Sequence, residues 1–190
     1  MIEWKFLDER TESTGWRRVF SRWYELPSGE TKGFDIVDHQ GVACVLPITK
    51  DGNVVLVRQF RPGPQSILLE LPGGLIDRDP DGGPDEDPRS AGNRELLEET
   101  GYTGNTQITG EFWISAYSTG KKFSILALDC EYTQPPQPEH DEFIEVVLIP
   151  LEDFRKLLTT ADFVDATTAY RGLEVYDKIK ALDHNCGCGC

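Results

Sequence analysis

Three glutamates, Glu95, Glu98 and Glu99, sit close together in the run Arg94-Glu95-Leu96-Leu97-Glu98-Glu99-Thr100-Gly101-Tyr102. On a helix, at about 100° per residue, their carboxylates share one narrow arc while Leu96, Leu97 and Thr100 turn to the opposite side, toward a core. Each like-charge pair at this spacing destabilises a helix by about 0.2–0.5 kcal/mol. A hard divalent cation such as Mg²⁺ reverses the sign of that term, because it takes oxygen ligands and keeps positions open for water and phosphate oxygens. A solvent-facing acidic helix with a leucine seam would show the same arc.

Two further groups of residues could join that chemistry. Arg58 and Arg61 end a β-rich run just before the glycine turn, where either could bind a phosphate or serve only in a surface ion pair. Glu139, His140, Asp141 and Glu142 stand together before a late apolar run, as candidate proton acceptors or as an acidic loop that merely solvates.

The elements that must position these groups follow from patterning. Arg18 to Leu26 and Phe34 to Asp38 read as an N-terminal antiparallel pair, rich in aromatic residues (Trp16, Phe20, Trp23, Tyr24) that pack on a core or on a second copy. Val42 to Thr49 and Asn53 to Phe60 flank Lys50-Asp51-Gly52 as a hairpin, and Ile67 to Leu71 leads to the glycine turn. Pro88 to Thr100 reads as the acidic helix, with proline in its first turn and glycine just past its end. Phe112 to Tyr117, Phe123 to Tyr132 and Phe143 to Ile149 read as strands, and Leu151 to Leu158 and Thr167 to Leu182 as helices. Strands on both sides of a central helix predict an α/β fold with a mixed sheet. The expected organisation is an N-terminal β extension over 1–40, a catalytic domain over 41–183 and a Cys/Gly tail over 184–190.

With Gly74 and Glu86, the acidic run resembles the Nudix box, G-x5-E-x7-R-E-U-x-E-E-x-G-U, where U is apolar. Asp87 to Asn93 supply the spacer after Glu86, but Leu75 to Asp85 place eleven residues where the family has five, and Arg78 to Asp85 read as a turn-rich insertion. Leu56-Val57-Arg58-Gln59-Phe60-Arg61-Pro62 and Leu69-Glu70-Leu71-Pro72-Gly73-Gly74-Leu75-Ile76-Asp77 look like the ADP-ribose pyrophosphatase branch. The likeness covers roughly Arg17 to Leu182. One departure is Tyr117-Ser118-Thr119-Gly120, which keeps only the glycine of a Pro-Gly pair found in many relatives.

The resemblance implies a Nudix-type α/β/α sandwich with a mixed sheet and a small N-terminal antiparallel β extension. It implies Mg²⁺-dependent, or Mn²⁺-dependent, hydrolysis of the diphosphate bond of ADP-ribose or a related nucleoside diphosphate sugar. Rivals are a hydrolase of dinucleotides such as NADH or diadenosine polyphosphates, and a sensor that binds ADP-ribose without turnover. The implied metal ligands are Glu95, Glu98, Glu99 and the Gly73 carbonyl, with Arg94 orienting the glutamates and Glu142 as general base. Arg58, Arg61 and Glu86 are the implied substrate-side residues, and a homodimer through the N-terminal region is the implied assembly.

Composition agrees with a small phosphorylated substrate. A formal charge of −14 argues against a nucleic acid partner, whose backbone requires clustered Lys and Arg. An acidic site repels a phosphate oxygen about 4 Å away by ~4 kcal/mol at an effective dielectric of 20, so metal must bind first. No run approaches the roughly 20 apolar residues of a membrane span, and Met1-Ile2-Glu3-Trp4-Lys5 does not begin a signal peptide, so a cytoplasmic protein without membrane partners is expected. Cys44 and Cys130 lie in apolar runs as inert buried thiols, whereas Cys186, Cys188 and Cys190 end the chain in a flexible tail that could wrap a soft metal, pair with another chain or resemble a lipidation signal, the plainer expectation being a tail with no part in catalysis.

Overall fold

The computed structural model describes residues 3–15, 17–81, 85–138, 140 and 142–186. Met1, Ile2, Trp16, Glu139, Asp141, Cys188 and Cys190, named above, lie outside the described residues. The chain forms two compact units, Met1–Gly41 with Phe112–Lys122, and Val42–Glu111 with Phe123–Cys190.

The first unit carries a three-stranded antiparallel sheet in the order β1 (Lys5–Thr14), β2 (Arg18–Glu25), β3 (Thr31–Val37). Phe20 and Ile36 face each other across β2 and β3 and are buried, with the Arg18 and Arg22 guanidinium groups over the Phe20 ring. Strand β1 was not expected from the sequence, for a physical reason. All ten of its residues are exposed, so it has no apolar alternation to read. It is held by backbone pairing and by cross-strand ion pairs such as Lys5 with Glu25 and Arg22 with Glu9.

The second unit is built on a seven-stranded sheet. Its path is β10 (Glu145–Pro150), β5 (Asn53–Arg61), β4 (Val42–Thr49), β9 (Lys121–Tyr132), β8 (Tyr102–Trp113), with β6 (Ser66–Glu70) on β5 and β7 (Gly73–Leu75) on β4. The continuous apolar run of β4 is explained by burial on both faces. Cys44, Leu46 and Ile48 point into one core with Leu126 and with Phe154 of α2 (Leu151–Leu157) and Ala169 and Leu173 of α3 (Ala166–Cys186). Ala43 and Val45 point into a second core with Ile125, Ala127 and the Ala91 and Leu96 side chains of α1 (Pro88–Thr100). The arrangement is the expected α/β/α sandwich.

Several boundaries differ from expectation by one to three residues, and two elements differ by four or more. The strand placed at Phe112 to Tyr117 is β8, which starts at Tyr102 immediately after α1. Thr103-Gly104-Asn105-Thr106 looks like a turn, but β8 ends the sheet path and satisfies its inward threonines by hydrogen bonds, Thr109 Oγ1 to Ser124 Oγ at 2.7 Å among them. Helix α3 continues four residues beyond Leu182, through Cys186.

Candidate active site

Helix α1 is set by local chemistry at both ends. The Asp87 carboxylate accepts the Ser90 N–H at 3.0 Å, Pro88 occupies the first turn, and Gly101 ends the helix at φ 74° while its N–H donates to the Leu97 carbonyl at 2.8 Å. Its inner face sits unusually close to the sheet. A Cβ on Gly92 would fall 2.4 Å from Ile125 Cδ1, so a larger residue there would have to displace that side chain.

That approach brings the acidic arc onto the glycine turn. Glu99 is buried, and its Oε2 accepts the Gly73 N–H at 2.9 Å. Glu95 lies so close to Gly74 that an added Cβ there would be 2.2 Å from its Oε1. A side chain at Gly73 would strike the Ala43 carbonyl of β4 at 2.3 Å. The Gly-Gly pair therefore lets strand β7 pair with β4 on one side while the carboxylates of α1 lie against it on another.

Arg94 ties the remaining acids together. Its Nε and Nη2 donate to Glu86 at 3.3 and 3.1 Å, its Nη1 donates to Glu95 at 2.8 Å and Glu98 at 3.1 Å, and Nη2 also reaches the Leu75 carbonyl at 3.1 Å. Glu86 keeps this place despite the long spacer, because the spacer is pinned at its base. The Glu86 N–H donates to the Asp77 carbonyl at 2.9 Å, and the Asp77 N–H to Glu86 Oε2 at 3.3 Å. Gly82, Gly83 and Pro84 of the expected insertion lie outside the described residues.

The electrostatics separate these carboxylates. Burial pushes the Glu99 carboxyl well above its ordinary value; the Gly73 N–H opposes that shift, Glu95 and Glu142 add to it, and Arg61 opposes it. Burial also raises Glu95, against the pull of Arg94 and with a further push from Glu98 and Glu142. Glu86 is lowered by its Arg94 hydrogen bonds, and Arg94 is held charged by its acids. The charge of Glu142 adds to the upward shift of both Glu95 and Glu99, whereas His140 is exposed.

The two candidate arginines part company. Arg58 is exposed and meets Glu145 at 3.4 Å. Arg61 is half-buried, gives Nε and Nη2 to the buried Glu70 at 2.6 and 2.5 Å, and is further stabilised in its charged form by Glu99 and Asp165. Glu70 and Asp165 were missed from sequence. Glu70 is a lone acid inside the apolar run Leu68-Leu69-Glu70-Leu71, which was a usable signal, but Asp165 before a helix reads as an ordinary cap.

The donor set fits a hard divalent cation. It offers carboxylate oxygens, and the buried Glu99 has one hydrogen bond and a strong desolvation penalty that a cation would relieve. Among the described residues no three Asp, Glu, His or Cys side chains are gathered closely enough to hold a metal ion as they stand. Arg94 holds Glu95 and Glu98 in their present positions by hydrogen bonds from its Nη1.

An acidic helix laid on a Gly-Gly strand offers oxygen donors of the kind that can hold a cation against a phosphate anhydride. The NUDIX domain profile matches residues 38–169. The chain is 34% identical over 149 residues to the ADP-ribose pyrophosphatase of Bacillus subtilis (strain 168), covering 77% of each chain, and 33% identical over 169 residues to the ADP-sugar pyrophosphatase of Mus musculus, covering 80% and 73%. A crystal structure of an ADP compounds hydrolase superposes with a TM-score of 0.78 at 23% identity over 96% of this chain and 97% of that one, a likeness of fold. The chain belongs to the Nudix family and is a Nudix pyrophosphohydrolase. No helix among the described residues is long and apolar enough to cross a membrane.

Proposed function

We propose that the chain hydrolyses the diphosphate bond of ADP-ribose, or of a closely related nucleoside diphosphate sugar, with Mg²⁺ as its cofactor and Mn²⁺ as a substitute. The observation that carries the reading is the buried Glu99 on the Gly73 N–H, with the charges of Glu95 and Glu142 acting on it. The names of the Bacillus subtilis and Mus musculus relatives supply the substrate class.

Glu95, Glu98 and Glu99 would hold the cation together with the Gly73 carbonyl. When bound, it neutralises phosphate charge and acidifies a water. Arg94 and Glu86 orient the glutamates. Glu142 accepts the proton of the attacking water. Water oxygen bonds to one phosphorus, the bond from that phosphorus to the bridging oxygen breaks, and AMP and ribose 5-phosphate leave. Arg61, oriented by Glu70 through Nε and Nη2, presents its Nη1 donors to a phosphate oxygen, and Arg58 binds farther out on the substrate. The enzyme works as a homodimer joined through its first unit.

The test is release of AMP and ribose 5-phosphate from ADP-ribose with and without Mg²⁺, beside ADP-glucose, GDP-mannose, NADH and diadenosine polyphosphates. Metal-dependent turnover selective for ADP-ribose is expected. Faster turnover of the dinucleotides would replace the substrate assignment.

A further inference from the structure

Asp165 is a buried carboxylate that the chemistry above does not use. It stands just before α3, yet its Oδ2 accepts the N–H of Leu71 at 3.1 Å, from the far end of the domain sequence. The segment that delivers it runs beside β6. The Leu69 N–H donates to the Asp162 carbonyl at 2.9 Å, the Val164 N–H to the Leu69 carbonyl at 3.3 Å, and Leu69 and Phe163 form a parallel bridge.

Leu71 is the first residue past β6, where the chain leaves the strand for Pro72-Gly73-Gly74. Farther on, the Pro72 carbonyl accepts the Val45 N–H at 2.9 Å and the Gly73 N–H goes to Glu99. The proline ring fixes φ at Pro72, which removes one of the torsions that could absorb a displacement of Leu71 before it reaches the Gly73 peptide. The same carboxylate also stabilises the charged Arg61, which Glu70 holds bidentately.

We propose that Asp165 is a positioning residue for the metal site: by clamping the Leu71 N–H it sets where the Gly73 peptide, and hence its carbonyl, meets the carboxylates of α1. The inference rests on the metal roles given to Gly73 and Glu99 above. Groups that orient a metal's ligands commonly change its affinity 10–100-fold when removed, so the effect is read first on the ion itself.

The experiment titrates Mn²⁺ into the substrate-free protein by electron paramagnetic resonance, for wild type, Asp165→Ala, Asp165→Asn and Glu99→Gln, with kcat and KM measured at saturating metal. Asp165→Ala is expected to weaken Mn²⁺ binding about tenfold or more while KM stays within about twofold. Asp165→Asn keeps an oxygen that can accept the Leu71 N–H and should stay within about threefold of wild type. Asp165→Ser, whose hydroxyl falls short of Leu71, replaces the alanine variant if that one does not fold. Unchanged affinity in the alanine or serine variant, with binding lost in Glu99→Gln, would overturn the positioning role alone. An asparagine variant as weak as alanine would overturn the clamp, and a wild type that binds no Mn²⁺ would overturn the metal reading and the clamp together.

Discussion

Glu99 sits where folding and function conflict. Burial raises its carboxyl, so between the ordinary glutamate value and the raised one the folded protein holds a proton that the unfolded chain has released. Stability of the metal-free protein therefore falls as pH rises through that window. The amide introduced by Glu99→Gln would carry no such charge, and its carbonyl oxygen could still accept the Gly73 N–H. Thermal melts in a chelator should thus show Glu99→Gln a few degrees more stable than wild type near pH 8, with the gap closing toward about pH 4. Excess Mg²⁺ should reverse the order, since the cation binds the folded wild type, and the variant should have lost activity. A gap independent of pH would remove the desolvated carboxylate from the argument. Glu142 makes the opposite demand, for a proton acceptor beside the metal ligands rather than among them. Glu142→Gln is expected to lower kcat by about 10²–10⁴-fold with Mn²⁺ affinity nearly unchanged. Near-normal turnover would sink its role as base.

At the scale of elements, α1 is specified by its ends. Gly101 holds φ 74°, and a Cβ there would be 1.9 Å from the Gln134 carbonyl. Gly101→Ala should therefore destabilise the protein by about 1–3 kcal/mol in urea unfolding, and Asp87→Ala by about 1 kcal/mol through loss of the Ser90 cap. An alanine at 101 without measurable effect would mean that the β8 entry relaxes freely. These end signals are local, which is why Pro88 to Thr100 could be read from sequence to the residue. The two-faced strands β4 and β9 were legible for a related reason, since burial on both sides leaves a continuous apolar run. Strand β1 was not, because its stabilisation comes from cross-strand partners chosen by register and not from any pattern of its own. The site divided along the same line. Glutamates one turn apart on α1 announce a common arc, whereas the Arg61–Glu70 pair and the Asp165 clamp on Leu71 exist only once β5, β6 and the segment before α3 lie side by side.

For the whole molecule, charge and apolar surface pull in opposite directions. At −14 per chain, two copies repel, but over a Debye length of about 8 Å at physiological salt that repulsion is felt mainly near the contact. The first unit offers a surface that could overcome it. Trp4, Phe6, Tyr24, Phe34 and Tyr117 form a chain of ring contacts with centroids 5.4–6.4 Å apart, and Trp4, Phe6 and Tyr117 are about half exposed. Aromatic clusters of this kind are enriched at the centres of protein interfaces and rarely stay open to water. If a second copy covers it, light scattering should give twice the 21.4 kDa chain mass. The dimer should dissociate more readily at low salt, where the like charges are less screened, and strengthen as salt rises. Trp4→Ser with Phe6→Ser should shift the population to monomer while the far-ultraviolet spectrum of the larger unit is preserved. A wild type that remains at 21.4 kDa at all concentrations would end the dimer proposal. A double variant that remains dimeric would move the interface off this aromatic surface.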